Sequence, residues 1–479
     1  MTVFEPFYYL GFFFIYIIVI LYLGKEGINR SETVSDYYVA NRSLGLFLSV
    51  CTFSATWFSA ASMLGMPALI YENGYSIIFT TVICWLLGSV FIILMAKRLR
   101  SYQILTIPEF FHKRYNSKGL QVMTSIILII SYMLYIGIQI RGFGIVVSYM
   151  LDIPYSVAVV FVFMFLLYTT YGGLISVART DVFNFLLIIS GITLAAYYVL
   201  EKTGGFISIH ESIIATNSTV EVEQWFDLFP DGIGTIIIFI SAFFSLGLGL
   251  AANPQYAVRI LSASSTKVAI RMVGLSTLIL GFAYVAIIII GFGSIAIFEG
   301  RMFVHGDELL PYLIHEVFDS PLKGWILMSI VAACVSTANS QLLILCSSFV
   351  YDFYEQLIKK KLGDKKRLSI NKWSVIIFAF GSLLISLQPL RELVAFSGQI
   401  WGIIAVTFFF PLFGGLFFKN ATRKGAFYSI VIGLVCYLSW LVFIPVHWQY
   451  YIQPVVPALI ISGIVFFMFR QRGDLRHEN

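Results

Sequence analysis

The stretch SVCTFSATWFSAASMLGMPALIYENG (Ser49–Gly74) is long and apolar enough to cross a bilayer, yet it is dense in Ser, Thr and Ala and carries Gly65 and Pro67 in its interior. A helix that meets only lipid can be Leu, Ile and Val throughout. Small, polar and helix-breaking residues at membrane depth mark places where the neighbour is protein or water. A second stretch, FFSLGLGLAANPQYAVR (Phe243–Arg259), uses Gly247, Gly249, Asn253 and Pro254 to weaken a continuous helix. A third, ILMSIVAACVSTANSQLLILCSS (Ile326–Ser348), places Ser336, Thr337, Asn339, Ser340 and Gln341 close together.

These stretches sit in a chain of 479 residues that is 59% hydrophobic and only 12% charged, with a mean hydropathy of +0.88. That is half the ~25% charge of a soluble domain, which excludes a water-soluble enzyme. About thirteen apolar stretches are each long enough to cross the hydrocarbon core: 7–23, 45–71, 74–96, 120–151, 155–171, 181–200, 231–260, 271–297, 323–350, 373–388, 393–417, 425–446 and 453–469. The expected class is an all-α polytopic membrane protein. A transmembrane barrel would alternate over segments of about ten residues, which this chain does not do. Cys51, Cys84, Cys334, Cys346 and Cys436 all fall inside apolar stretches and read as reduced packing residues. The first stretch lacks a basic lead-in and a cleavage site, so it reads as a retained helix.

Basic residues are distributed unequally. Alternating connections put Lys25, Arg42, Lys97, Arg98, Arg100, Lys113, Arg114, the Lys359–Lys372 cluster and Lys419–Lys424 on one side, against Lys202, Arg301, Lys323 and Arg391 on the other. The basic side is read as cytoplasmic, with the N-terminus outside and the C-terminus inside a cell membrane. The net charge of +6 then reflects topology and implies no nucleic-acid partner. The outer connections are acidic, with Glu211, Glu221, Glu223 and Asp227 in one and Glu299 to Asp319 bounding the next, and read as ordinary solvated loops. Asn217-Ser218-Thr219 formally matches a glycosylation sequon.

The second and seventh stretches lie five helices apart, and each is broken near its middle. Two interrupted helices in corresponding positions of successive five-helix blocks point to an inverted-repeat secondary transporter with its site near the midplane. Small residues that simply let helices pack closely are the alternative for any single span. In the ninth stretch Ser336 and Thr337 offer adjacent hydroxyls, and the Ala333 carbonyl lies one turn back on the same face. Such oxygens suit a hard monovalent cation, although hydroxyls in a membrane helix also bond back to their own carbonyls.

Arg141 is read as the deepest basic residue, about 15 Å below the outer end of its helix, with no acidic residue at comparable depth. A substrate carboxylate would partner it bidentately; structural pairing with backbone carbonyls is the alternative. Thr56, Trp57, Ser59, Gln139, Asn253 and Tyr256 offer polar and aromatic lining around the broken helices. Arg259 reads as a snorkelling residue at the cytoplasmic end of the seventh span.

Seven segments, in order, are similar to those of the sodium/solute symporter family: SDYYVANRSLG (35–45), GMPALIYENG (65–74) with the stretch before it, TIPEFFHKRY (106–115), YTTYGGLISVARTDVFN (168–184), NPQYAVRILSA (253–263), DELLPYLI (307–314) and AACVSTANSQLL (332–343). Within the family the chain most resembles the pantothenate branch, in SATWFSAAS, AVR and STANSQLL. The resemblance implies a LeuT-type fold: an N-terminal helix and loop (1–44), a first inverted repeat (45–200), an outer loop (201–230), a second inverted repeat (231–418), then two further helices and a tail (419–479). It implies a sodium site made of the carbonyls of Ala55, Phe58 and Ala333 and the hydroxyls of Ser336 and Thr337. By the same analogy Asp181 is an ion-path residue; an N-cap acid on the sixth helix is the alternative. The expected function is sodium-coupled uptake of a small organic solute, a monocarboxylate such as pantothenate first and an amino acid such as proline second, with proton coupling as the rival. A sugar is disfavoured because the third span has no Glu or Gln. No cofactor beyond Na+ and no obligate protein partner is expected; the partners are solute, sodium and the bilayer. No enzyme is expected either, since all six histidines lie in loops, ends or tails and there is no HExxH motif.

Overall fold

The computed structural model describes residues 5–470, apart from 31–32, 217–218, 300–305, 319–320, 360 and 388–391. Among the described residues the chain is helical, with one isolated bridge between Leu44 and Ala263. Ten helices are long and apolar enough to cross a membrane, and the bent pair Leu46–Trp57 and Ala61–Asn73 makes an eleventh. Shorter apolar helices at Tyr155–Tyr171 and Val455–Met468 occupy the expected fifth and thirteenth positions. In chain order the spans are then Glu5–Arg30 (1), the bent pair (2), Ile78–Ser101 (3), Lys118–Leu151 (4), Tyr155–Tyr171 (5), Gly173–Thr203 (6), Ile233–Ser262 (7), Thr266–Phe298 (8), Lys323–Leu357 (9), Asp364–Ser386 (10), Leu393–Phe417 (11), Arg423–Phe443 (12) and Val455–Met468 (13). The sequon's Asn217 and Ser218, Arg301, Asp319, Arg391 and the tail beyond 470 lie outside the described residues.

Span 2 breaks, but not where its helix-breaking residues suggested. The first half ends at Trp57, Phe58 is extended (φ −67, ψ 127), and the two halves meet at 61°. Gly65 and Pro67 lie beyond the break, at the junction of a π-type turn and the last helix of the span, where the absent proline N–H is tolerated. Gly65 has a packing role instead: a Cβ there would fall 2.5 Å from Val394 Cγ2 of span 11. Span 7 is interrupted at Asn253, as expected. That residue is extended (φ −70, ψ 122), its side chain accepts a hydrogen bond from the Gln255 N–H at 3.1 Å, and Pro254 opens the second half.

Span 9 lies at the centre, its apolar window fully buried, packed chiefly against spans 4 and 6. Spans 3 and 7 cross so closely that a Cβ on Gly88 would sit 2.4 Å from the Gly247 carbonyl oxygen. At one end of the bundle Leu44 donates to the Ser262 carbonyl (3.1 Å) and its own carbonyl accepts from Ser264 N–H (2.8 Å), while Arg100 reaches the Leu261 carbonyl (3.1 Å). The start of span 2 and the ends of spans 3 and 7 are thereby tied together. At the other end the acidic connection after span 6 is not a plain solvated loop. It folds into helices Phe206–Thr216 and Thr219–Phe226, and Trp225 O accepts from Tyr75 N–H at 2.8 Å.

Gly88→Val should lower the melting temperature of the purified protein clearly, overpacking of this kind costing about 1–3 kcal/mol. Gly274→Val, where nothing lies within 4 Å of the new Cβ, should leave it nearly unchanged; equal shifts would contradict the crossing.

Candidate functional site

The break in span 2 releases backbone groups that a continuous helix would satisfy internally, at a depth where no water is at hand. Side chains from other spans meet them. Ser336 Oγ donates to the Ala55 carbonyl at 2.8 Å and lies 3.1 Å from the Ala333 carbonyl. Thr337 Oγ1 donates to the Phe58 carbonyl at 2.8 Å and stands 3.4 Å from that of Thr56. The five residues implied by the resemblance are thus buried between spans 2 and 9 in two adjacent groups, Ser336 with the Ala55 and Ala333 carbonyls and Thr337 with that of Phe58. Beyond the break, the Ala60 N–H is capped by Gln139 Oε1 of span 4 at 2.9 Å.

Gln255, at the start of the second half of span 7, completes the network. Its Nε2 donates to the Thr56 carbonyl (2.7 Å), and its Oε1 accepts from Gln341 Nε2 of span 9 (2.7 Å). Tyr132 of span 4 holds this junction: its hydroxyl donates to Asn253 Oδ1 and accepts from the Gln255 N–H at 2.9 Å. A polar cluster thus joins spans 2, 4, 7 and 9 where both broken helices meet.

One helical turn away lies a buried ion pair that corrects three expectations. Asp181 is eight residues into span 6, which begins at Gly173, so it is not an N-cap. Its Oδ2 accepts from Thr52 Oγ1 at 2.5 Å and faces Arg259 Nη2 at 3.6 Å, both charged side chains being fully buried. Arg259 therefore does not snorkel; it also donates to Ser340 Oγ. It is this arginine, not Arg141, that is the deeply buried cation.

Arg141 sits two residues from Gln139, about 200° around span 4. It is partly buried and close enough to Tyr155 of span 5 for its charge to act on that hydroxyl. Unlike Trp57 and Ser59, it lines neither cavity described next.

A cavity of about 890 Å³ opens at the end of the bundle that carries the 201–231 connection and narrows to Leu246 and Val394. Beneath those two side chains is a chamber of about 10 Å³, room for one water, lined by Trp57, Ser59, Trp85, Tyr135, Ser397 and Trp401 among others. The Tyr135 hydroxyl lies among Ser59, Ser397 and Trp401. Of the residues expected to line a substrate pocket, Trp57 and Ser59 do so directly. Tyr256 stacks behind them against Phe53, Trp57 and Trp401. Thr56, Gln139 and Asn253 contribute to the network around the breaks. Trp85, Tyr135, Ser397 and Trp401 were missed, because an aromatic inside an apolar helix has no local mark that distinguishes a chamber wall from core.

Residues 37–433 match the model of the Sodium:solute symporter family. A sodium/proline symporter from Staphylococcus aureus (strain NCTC 8325 / PS 47) is 25% identical over 474 residues, covering 95% of this chain and 90% of the relative. Among solved structures, a Na+-coupled sialic acid symporter in a substrate-bound outward-open state superposes with a TM-score of 0.77 at 20% identity, covering 96% of this chain and 98% of that one. A transporter of the nucleobase-cation-symport-1 family in a closed conformation gives 0.57 at 15% identity, covering 92% and 95%. The helical arrangement is thus the LeuT-type fold.

Removing one member of the buried pair, by Asp181→Asn or Arg259→Gln, should destabilise the protein by about 3–5 kcal/mol, because the other charge is left uncompensated. The double variant should recover much of the loss in a melting experiment; single variants as stable as the parent would contradict the pairing.

Proposed function

The chain belongs to the sodium:solute symporter family, and from that premise we propose that it carries a small organic solute into the cell by sodium-coupled symport with alternating access. The observation that carries this reading is that adjacent hydroxyls of span 9 meet the broken span 2, Ser336 at the Ala55 carbonyl and beside that of Ala333, Thr337 at the Phe58 carbonyl. These are five neutral oxygens with no carboxylate among them, a donor set suited to a monovalent ion bound weakly enough to exchange. Without an ion the hydroxyl protons point at the carbonyls; with one they turn away and the oxygen lone pairs face the cation. Sodium then replaces hydrogen bonds with a stronger tie between span 2 and span 9. That change is what couples the ion to the closing of the chamber, with the repeats 45–200 and 231–418 moving about it.

Proton coupling has little to work with here, since Asp181, the nearby acid, already faces Arg259. For the solute, the proline transport named for the S. aureus relatives favours an amino acid such as proline. The case for a monocarboxylate such as pantothenate drew on the resemblance of short segments to that branch and on Arg141, which does not line the chamber. In a cell membrane the vestibule end would face outward, with the N-terminus outside and the C-terminus inside.

In proteoliposomes with an imposed sodium gradient, L-proline uptake should be driven by sodium and not by potassium. Ser336→Ala and Thr337→Ala should each raise the half-saturating sodium concentration roughly tenfold or more, as for loss of a charge-assisted contact of about 1.5–3 kcal/mol. Sodium activation unchanged in both variants would overturn the ion assignment.

A further inference from the structure

The wide outer cavity carries five carboxylates, those of Glu72, Glu223, Asp227, Asp231 and Glu392, and among its described lining residues no lysine, arginine or histidine. A cleft lined by one sign of charge within low-dielectric walls concentrates counter-charged molecules and repels like-charged ones. Two of these acids, Glu72 and Glu392, are exposed and share with Asp307 and Val394 the lining of a small neighbouring pocket, and Val394 also lines the chamber. The chamber has the opposite chemistry. Its lining has no acid; the indole N–H of Trp401 lies at the Tyr135 hydroxyl, whereas that of Trp85 lacks a hydrogen-bond partner although the side chain is only 4% exposed. A buried donor without an acceptor is costly, and a ligand oxygen is the natural group to satisfy it.

From these two layers we propose that the transported solute carries an ammonium group together with an oxygen acceptor and has no net negative charge. Its acceptor end takes the Trp85 indole donor of the chamber, and its ammonium end faces the carboxylates Glu72 and Glu392. Plain organic anions are turned away at the vestibule. This rests on the symporter reading and names the charge class that the same site admits, which would make the vestibule acids specificity-determining residues.

The test uses the purified full chain in sodium and in potassium, with binding read as a thermal shift and by tryptophan fluorescence. The probes are L-proline (zwitterion), L-prolinamide (cation with a carbonyl acceptor) and tetrahydrofuran-2-carboxylate (the anion with the ammonium removed), with pantothenate as a second anion. Proline or prolinamide should bind and both anions should not. An anion binding as tightly as the ammonium compounds, or no binding by either ammonium compound, overturns the inference. Binding of an ammonium compound that is equal in sodium and potassium sinks the sodium-coupled reading and leaves the charge inference standing.

Two sets of variants separate the layers. Glu223→Gln with Asp227→Asn, in the connection outside the membrane helices, should weaken prolinamide roughly tenfold at low ionic strength and have little effect at high salt, the signature of steering. Trp85→Phe keeps the ring and loses the free donor, so it should weaken proline roughly tenfold, and Trp401→Phe, whose donor already meets Tyr135, should weaken it less. Salt-independent binding unaffected by the acidic pair, or full affinity in Trp85→Phe, would overturn the assigned roles.

Discussion

A membrane helix cannot be interrupted without stranding backbone groups in a medium that offers no water, and the centre of this protein is organised around that constraint. At Phe58 the second span leaves helical geometry, and its loose carbonyls and N–H groups find partners on three other spans: Ser336 and Thr337 on span 9, Gln255 on span 7 and Gln139 on span 4. The break is therefore held by tertiary hydrogen bonds rather than by its own helix. The same arrangement leaves carbonyl and hydroxyl oxygens with spare lone pairs between spans 2 and 9. A monovalent cation would bind there because the stranded carbonyls need positive charge, and the helix halves would respond because their mutual position depends on those bonds.

The layers around this centre divide the work. The ends of spans 3 and 7 and the start of span 2 are tied by the Leu44 bridge and by Arg100. The opposite end opens as an acidic vestibule that stops at Leu246 and Val394, above an aromatic chamber with room for one water. The buried pair of Asp181 and Arg259 sits one turn towards the tied end, placing a fixed dipole between the proposed ion site and that side of the membrane.

The sequence made much of this legible, for physical reasons. Broken helices announce themselves because Asn253, Pro254 and runs of Ser, Thr and Ala are costly against lipid, and Ser336 and Thr337 stand out because paired hydroxyls inside an apolar helix are rare. What was misread depends on partners remote in the chain. The break of span 2 falls at Phe58, where no residue type signals it, while Gly65 turned out to make room for Val394. Arg141 drew attention by its depth along one helix. The buried cation was Arg259, whose partner Asp181 comes from span 6 and could not be paired with it by periodicity. The acids Glu223, Asp227 and Asp231 of the connection after span 6 are solvent-exposed as expected, but only the folded chain shows that they border a cavity.

The central claim is that sodium joins the broken second span to the ninth through the Ala55, Phe58, Ala333, Ser336 and Thr337 oxygens. Backbone hydrogen exchange of the full chain, compared in sodium and in potassium at equal ionic strength, addresses it most directly. Sodium should slow exchange in peptides covering 55–60 and 333–337 well beyond any change in distant spans such as 12 and 13. Identical exchange of those two segments in the two salts would contradict it.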